Sequence, residues 1–164
     1  MAALTVWKFQ TPYGADAALD KVKSMASQQL ITLQDAAVVS WEEGKKKPKT
    51  RELHDTRMGG ALGGGFWGLL FGLIFFVPIL GLAIGAAAGA LFGSLSDVGI
   101  SDEFIGRVRE KVTPGTSALF LLSSDAVMDR VKAEFKDSNP ELISTNLSAE
   151  QEAKLREAFG HEED

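Results

Sequence analysis

Apolar and polar positions alternate or recur along most of the chain at spacings that define short elements. "LTVWKFQ" (4–10) is rich in β-branched and aromatic residues, which predicts a strand ended by Pro12, Tyr13 and Gly14. In "ADAALDKVKSMASQQ" (15–29), Ala18, Leu19, Val22, Met25 and Ala26 recur at helical spacing and predict an amphipathic helix. "LQDAAVVSWEE" (33–43) reads as a second strand centred on Ala37 to Trp41, and "GKKKPKTRE" (44–52) as a basic turn or loop.

Further on, "SDEFIGRVREKV" (101–112) begins with Ser101 as N-cap and acids in its first turn, and places Phe104, Ile105, Val108 and Val112 on one helix face. "TPG" (113–115) breaks that helix. "TSALFLLS" (116–123) is a nearly continuous apolar strand, expected to be central. "SDAVMDRVKAEF" (124–135) predicts a helix with Val127, Met128, Val131 and Phe135 inward, and "PELISTNL" (140–147) the last strand. "SAEQEAKLREAF" (148–159) opens with the capping-box pair Ser148 and Gln151.

The pattern fails between Arg57 and Asp97. The 39 intervening residues (58–96) carry no charge and are apolar, glycine or serine, with one proline. Gly60, Gly64, Gly68 and Gly72 form one four-residue series, and Gly81, Gly85, Gly89 and Gly93 another, with Pro78 at the only plausible turn. Residues 58–76 and 79–96 therefore read as two antiparallel helices, each about 27–28 Å long at about 1.5 Å per residue. That is just enough for a hydrocarbon core of about 30 Å. Spacing of four puts the glycines on one side of each helix, where two backbones approach closely. Phe66, Leu69, Leu70, Leu73 and Phe76 on the other side of the first helix suit lipid tails or a partner's core. Trp67, near the middle of that helix, is out of place for an interfacial tryptophan and is expected in a helix–helix contact.

With the block and the helix after it (101–112) set aside, β-α-β followed by β-α-β and a terminal helix remains. The expected class is α+β: a ferredoxin-like antiparallel sheet with helices on one face, an inserted two-helix hydrophobic hairpin and a C-terminal helix. The expected boundaries are 1–57 for the first half of that domain, 58–96 for a glycine-zipper transmembrane hairpin, 97–159 for the second half with its C-terminal helix, and 160–164 for an acidic tail.

Charge orients this arrangement. Residues 1–57 hold nine Lys/Arg and seven Asp/Glu, residues 97–164 eight and fifteen, and the chain totals −5. Lys45, Lys46, Lys47, Lys49, Arg51 and Arg57 lead into the block, whereas its turn is uncharged. The positive-inside rule then puts both flanks in the cytoplasm, with those six residues against lipid headgroups. "KKKPK" as a nucleic-acid signal is the weaker reading in an acidic protein.

Candidate chemistry changes little. The chain has no cysteine, and His54 and His161 stand in no metal-ligand spacing. Asp102–Glu103 is explained by the helix start and Glu42–Glu43 stands as an adjacent pair. "GGALGGG" lacks the Lys-Ser/Thr of a phosphate loop. No clustered acid, base or nucleophile points to an enzyme, and no catalytic residue, cofactor, metal or small-molecule substrate is expected. A pore meets the obstacle that Ser94 and Ser96 are the only polar side chains in the block, both at one end.

The glycine-zipper hairpin with its central proline, followed by "GISDEFIGRVREKVTPGTSALFLL", resembles a family of small bacterial membrane proteins of unknown function, over about residues 4–159. The resemblance implies a membrane assignment and bacterial origin, hence the inner membrane, and brings no catalytic residue. The expected role is assembly: a homo-oligomer held by glycine-zipper packing, with lipids and copies of itself as partners. The alternatives are an oligomeric pore, a membrane-tethered ligand-binding regulator, and a soluble oligomer that buries the hairpins.

Overall fold

A computed structural model of the chain describes residues 2–29, 35–52, 67, 70–76, 100, 102–137, 140–148 and 150–151. Among them are five strands, three α-helices and one π-helical turn. In chain order these are β1 (Ala2–Phe9), α1 (Gly14–Ser27), β2 (Asp35–Ser40), β3 (Lys49–Glu52), the π-helical turn (Gly72–Phe76), α2 (Asp102–Lys111), β4 (Ser117–Ser124), α3 (Asp125–Glu134) and β5 (Glu141–Leu147). The chain is a mixed α+β protein with one antiparallel sheet in the order β3-β2-β4-β1-β5.

The apolar run of β4 does occupy the centre. Its register against β1 sets Leu4 opposite Leu122, Val6 opposite Phe120 and Phe9 opposite Ser117. Because side chains alternate across a strand, each central strand feeds two layers. Leu4, Val6, Ala37, Val39, Ala118, Phe120 and Leu122 enter one buried cluster. Trp7, Phe9, Ala36, Val38, Leu119 and Leu121 enter the other.

α1 and α3 cover the second of these clusters with Ala15, Ala18, Leu19, Val22, Val131 and Phe135. α1 and α3 thus lie on one face, and the other cluster is covered by different elements. There α2 contributes Phe104, Ile105, Val108 and Val112, and the uncharged block contributes Trp67, Leu70, Phe71 and Ile74. The sheet is covered on both sides because its central strands are apolar on both sides, and an uncovered face of that kind would leave large side chains in water.

One correction concerns "KTRE". It is not loop but β3, pairing antiparallel to β2 from Ala37↔Glu52 to Ser40↔Lys49. Its charges hide it from a hydrophobicity reading and suit an edge strand, where they discourage pairing with other chains. The Ser148–Gln151 capping box is formed in both directions: Ser148 N–H donates to Gln151 Oε1 at 2.9 Å, and Gln151 N–H to Ser148 Oγ at 3.1 Å. Ser101, Val127 and Met128 lie outside the described residues or side chains.

The β1–α1 turn shows why this stretch holds glycine. A Cβ on Gly14 would stand 2.7 Å from Phe9 Cβ, an atom close to the backbone that cannot swing away. The start of α1 is capped from across the fold: Ser117 Oγ accepts from Ala15 N–H at 2.9 Å and donates to the Thr11 carbonyl at 2.7 Å. Gly14→Ala is expected to destabilise the protein by about 1–3 kcal/mol through overpacking, read from the midpoint of denaturant unfolding.

Candidate functional site

Among the described residues, the uncharged block meets the sheet through Trp67, Leu70, Phe71 and Ile74. Trp67, Leu70, Phe71 and Ile74 follow the i, i+3, i+4, i+7 spacing of one helix face, and all four are buried. The aromatic contacts are specific. Phe71 meets Phe120 edge-to-face at 5.0 Å between ring centroids, Trp67 meets Phe120 the same way at 6.3 Å, and Trp67 stacks on Phe71 at 5.7 Å. Leu70, expected to suit lipid or a partner's core, is in the core of its own domain, as is Trp67, expected in a helix–helix contact.

At Gly72 the backbone loosens into the π-helical turn that runs to Phe76. A π turn leaves the ordinary helical hydrogen-bond ladder, and α2 supplies a donor there: Arg109 Nε–H donates to the Ile74 carbonyl at 2.9 Å. Phe75 turns to the rim and meets Trp41 edge-to-face at 5.9 Å. Trp41, Ile74, Phe75, Arg109, Val112, Thr113 and Pro114 line a cleft of about 260 Å³ beside this turn.

The basic residues expected at lipid headgroups are split by the structure. Lys45, Lys46 and Lys47 are exposed on the β2–β3 turn. This turn is held to Trp41, whose Nε1–H donates to the Lys45 carbonyl at 2.9 Å. Gly44 adopts a left-handed φ of 85° that the turn requires. Lys49 and Arg51 follow on β3, and Arg51 pairs with Asp16 of α1 at 2.8 Å, toward the opposite layer. Arg57 lies outside the described residues. So do Pro78 and the glycines at 60, 64, 68, 81, 85, 89 and 93. Gly72 is described, and a Cβ there would meet no described atom within 4 Å. No helix among the described residues is long and apolar enough to cross a membrane.

Sequence reasoning missed Trp41, Phe75 and Arg109. The signal for Trp41 was its place between a buried strand and a lysine run. Arg109 falls on the buried side of α2, between Ile105, Val108 and Val112, a position that calls for an acceptor.

Elsewhere the polar groups are engaged with one another. A cleft of about 360 Å³ is lined by Tyr13, Asp16, Val38, Ser40, Lys49, Thr50 and Arg51. Asp16 accepts there from both Arg51 and Ser40. Tyr13 donates its hydroxyl to Glu42 Oε1 at 2.7 Å. That bond raises the Tyr13 phenol above its ordinary value, with the Glu42 charge adding to the effect. It holds the Glu42 carboxyl below the usual carboxylate range, with Lys49 and Lys45 assisting.

Both shifts link this contact to stability. A depressed carboxylate stabilises at pH above its unfolded value and loses that contribution as pH falls through the folded one. A raised phenol stabilises below its unfolded value and loses that contribution as pH rises through the folded one. The unfolding midpoints of the protein and of Tyr13→Phe are therefore expected to differ most between the carboxylate and phenol ranges, and to converge at both extremes of a pH series. Among the described residues no three His, Asp or Glu side chains gather to hold a metal ion.

No curated protein and no solved structure matches the chain. A family model matches residues 61–160, from the uncharged block through α2, β4, α3 and β5 into the C-terminal segment. With more than half of its length so matched, the chain belongs to the family described as protein of unknown function (DUF1269).

Proposed function

We propose that this chain is a membrane-associated, homo-oligomeric assembly module whose sheet domain lies on the cytoplasmic side of a bacterial inner membrane. One observation carries the reading: residues 58–96 hold no charged side chain, and two series of glycines at four-residue spacing run through them. Within the block, Trp67, Leu70, Phe71 and Ile74 are buried against the sheet. An uncharged run of that length and spacing suits lipid and the same segment of a second copy.

The domain is read as ferredoxin-like, with the block inserted between its halves. In support, β1-α1-β2 and β4-α3-β5 repeat one order, and without β3 the sheet runs β2-β4-β1-β5 with α1 and α3 on the same layer. Gly60, Gly64, Gly68, Gly72, Gly81, Gly85, Gly89 and Gly93 provide the close-packing sides for self-association. Gly64→Leu combined with Gly85→Leu then breaks the assembly into smaller species on native gels in mild detergent. An unchanged size contradicts the assembly role.

A second reading is favoured by the docking of Trp67, Leu70, Phe71 and Ile74 on their own sheet: a soluble oligomer that buries the whole block between copies. Washing membranes without detergent separates the two. The membrane reading requires the protein in the pellet, and the soluble reading requires it in the supernatant.

A further inference from the structure

We propose that the rim formed by Trp41, Phe75, Pro114 and Arg109, with the Lys45–Lys47 turn beside it, is the surface that lies on an anionic lipid bilayer at headgroup level. This inference rests on the membrane reading above and specifies which end of the domain makes the contact.

Three observations converge on this rim. The first is continuity with the uncharged block. Phe75 lies on the π-helical turn inside the uncharged block, which runs on in sequence to residue 96. Residues 77–99 separate that turn from Ile100, which is buried in the same cluster as Ile74. Of these, residues 77–96 are uncharged. An uncharged run that enters lipid beside this turn sets the turn against the headgroups.

The second is amphipathic chemistry. Trp41 and Phe75 are only partly buried, and Thr113 and Pro114 are exposed next to them, around a cleft of about 260 Å³. Partly buried tryptophan with its N–H satisfied by the chain is suited to the boundary between tails and headgroups. Trp7 and Trp67, at 2% and 0% exposure, have no such access.

The third is charge. Lys45, Lys46 and Lys47 are carried by the turn that Trp41 itself holds, and Arg109 lines the cleft from the other side. Glu42 and Glu43 are the acids on the same turn, and Glu42 is directed toward Tyr13. The balance at this rim is positive in a chain whose total is −5. A purely apolar partner would gain nothing from these cations, whereas phosphate headgroups above acyl chains match both the cations and the aromatic rings.

The test uses the full chain with two sets of vesicles, phosphatidylcholine alone and phosphatidylcholine mixed with phosphatidylglycerol. Each set is also prepared with lipids brominated near the headgroup end of the acyl chains. Binding to the anionic vesicles is expected to exceed binding to the neutral ones. A variant carrying Lys45→Gln, Lys46→Gln and Lys47→Gln, all at exposed positions, is expected to bind anionic vesicles at least about tenfold more weakly. Bromine quenching of tryptophan fluorescence is expected in the protein and lost in Trp41→Phe, with circular dichroism showing that the variant is folded. Quenching retained in folded Trp41→Phe, or unchanged binding of the lysine variant, overturns this assignment while the membrane reading stands. Failure to sediment with either vesicle overturns both.

Discussion

Trp67→Ala is expected to lower the stability of the whole sheet domain by about 3–5 kcal/mol, the range for removing a large buried aromatic side chain. Trp67 is fully buried, stacks on Phe71 and meets Phe120 of the central strand. Removing the indole leaves a cavity between the uncharged block and the sheet, and β4 cannot move to fill it because it is paired on both sides. The measurement is urea unfolding in mild detergent, followed by the far-ultraviolet signal of the sheet. The midpoint is expected to fall with little change in slope. If the block were independent of the domain, losing an indole from it would leave the unfolding of the sheet where it was. A loss near 4 kcal/mol is a large fraction of the 5–15 kcal/mol that typically holds a domain together, so the variant is expected to express poorly.

Phe135→Ala is expected to cost a similar amount, about 3–5 kcal/mol, from the opposite layer. Phe135 follows the end of α3 and is 1% exposed. It meets Trp7 edge-to-face at 5.6 Å and Phe9 at 5.7 Å, joining α3 to two successive inward positions of β1. The Trp7 indole is itself fixed, because its Nε1–H donates to Thr5 Oγ1 at 2.9 Å. The truncated site therefore cannot collapse easily, which places the expected loss in the upper part of the range for core substitutions. Thermal unfolding is the simplest check, and Phe135→Leu is expected to recover most of the loss by keeping apolar volume.

Most of the fold was legible from periodicity. Phe104, Ile105, Val108 and Val112 fall where α2 buries them, and "SALFLL" announced a central strand by its unbroken apolar run. That run also carried a requirement that periodicity alone does not show. A strand with Ala118, Phe120 and Leu122 on one side and Leu119 and Leu121 on the other needs cover on both. The block was read from its own composition, in which absence of charge and regular glycine suggest lipid. Its Trp67, Leu70, Phe71 and Ile74 stripe suits a sheet equally well, because hydrophobicity does not specify whether the apolar neighbour is lipid or protein.

The candidate surface was legible in part. The lysine run was evident, but its division was not. Arg51 is turned toward Asp16 by the alternation of β3, a strand that charge concealed, while Lys45–Lys47 remain beside Trp41. Arg109 reaches the Ile74 carbonyl across 35 positions of sequence, a tertiary contact that no local pattern encodes.

The account depends on Trp67, Leu70, Phe71 and Ile74 of the uncharged block belonging to the core of the sheet domain. A double-mutant cycle between Phe71 and Phe120, using Phe71→Leu, Phe120→Leu and the pair, tests this most directly. Their rings meet edge-to-face at 5.0 Å. The account predicts a coupling of about 0.5–1.5 kcal/mol in the unfolding free energy. Effects that add within about 0.3 kcal/mol would mean that the two side chains do not touch, and that the block does not dock on the sheet.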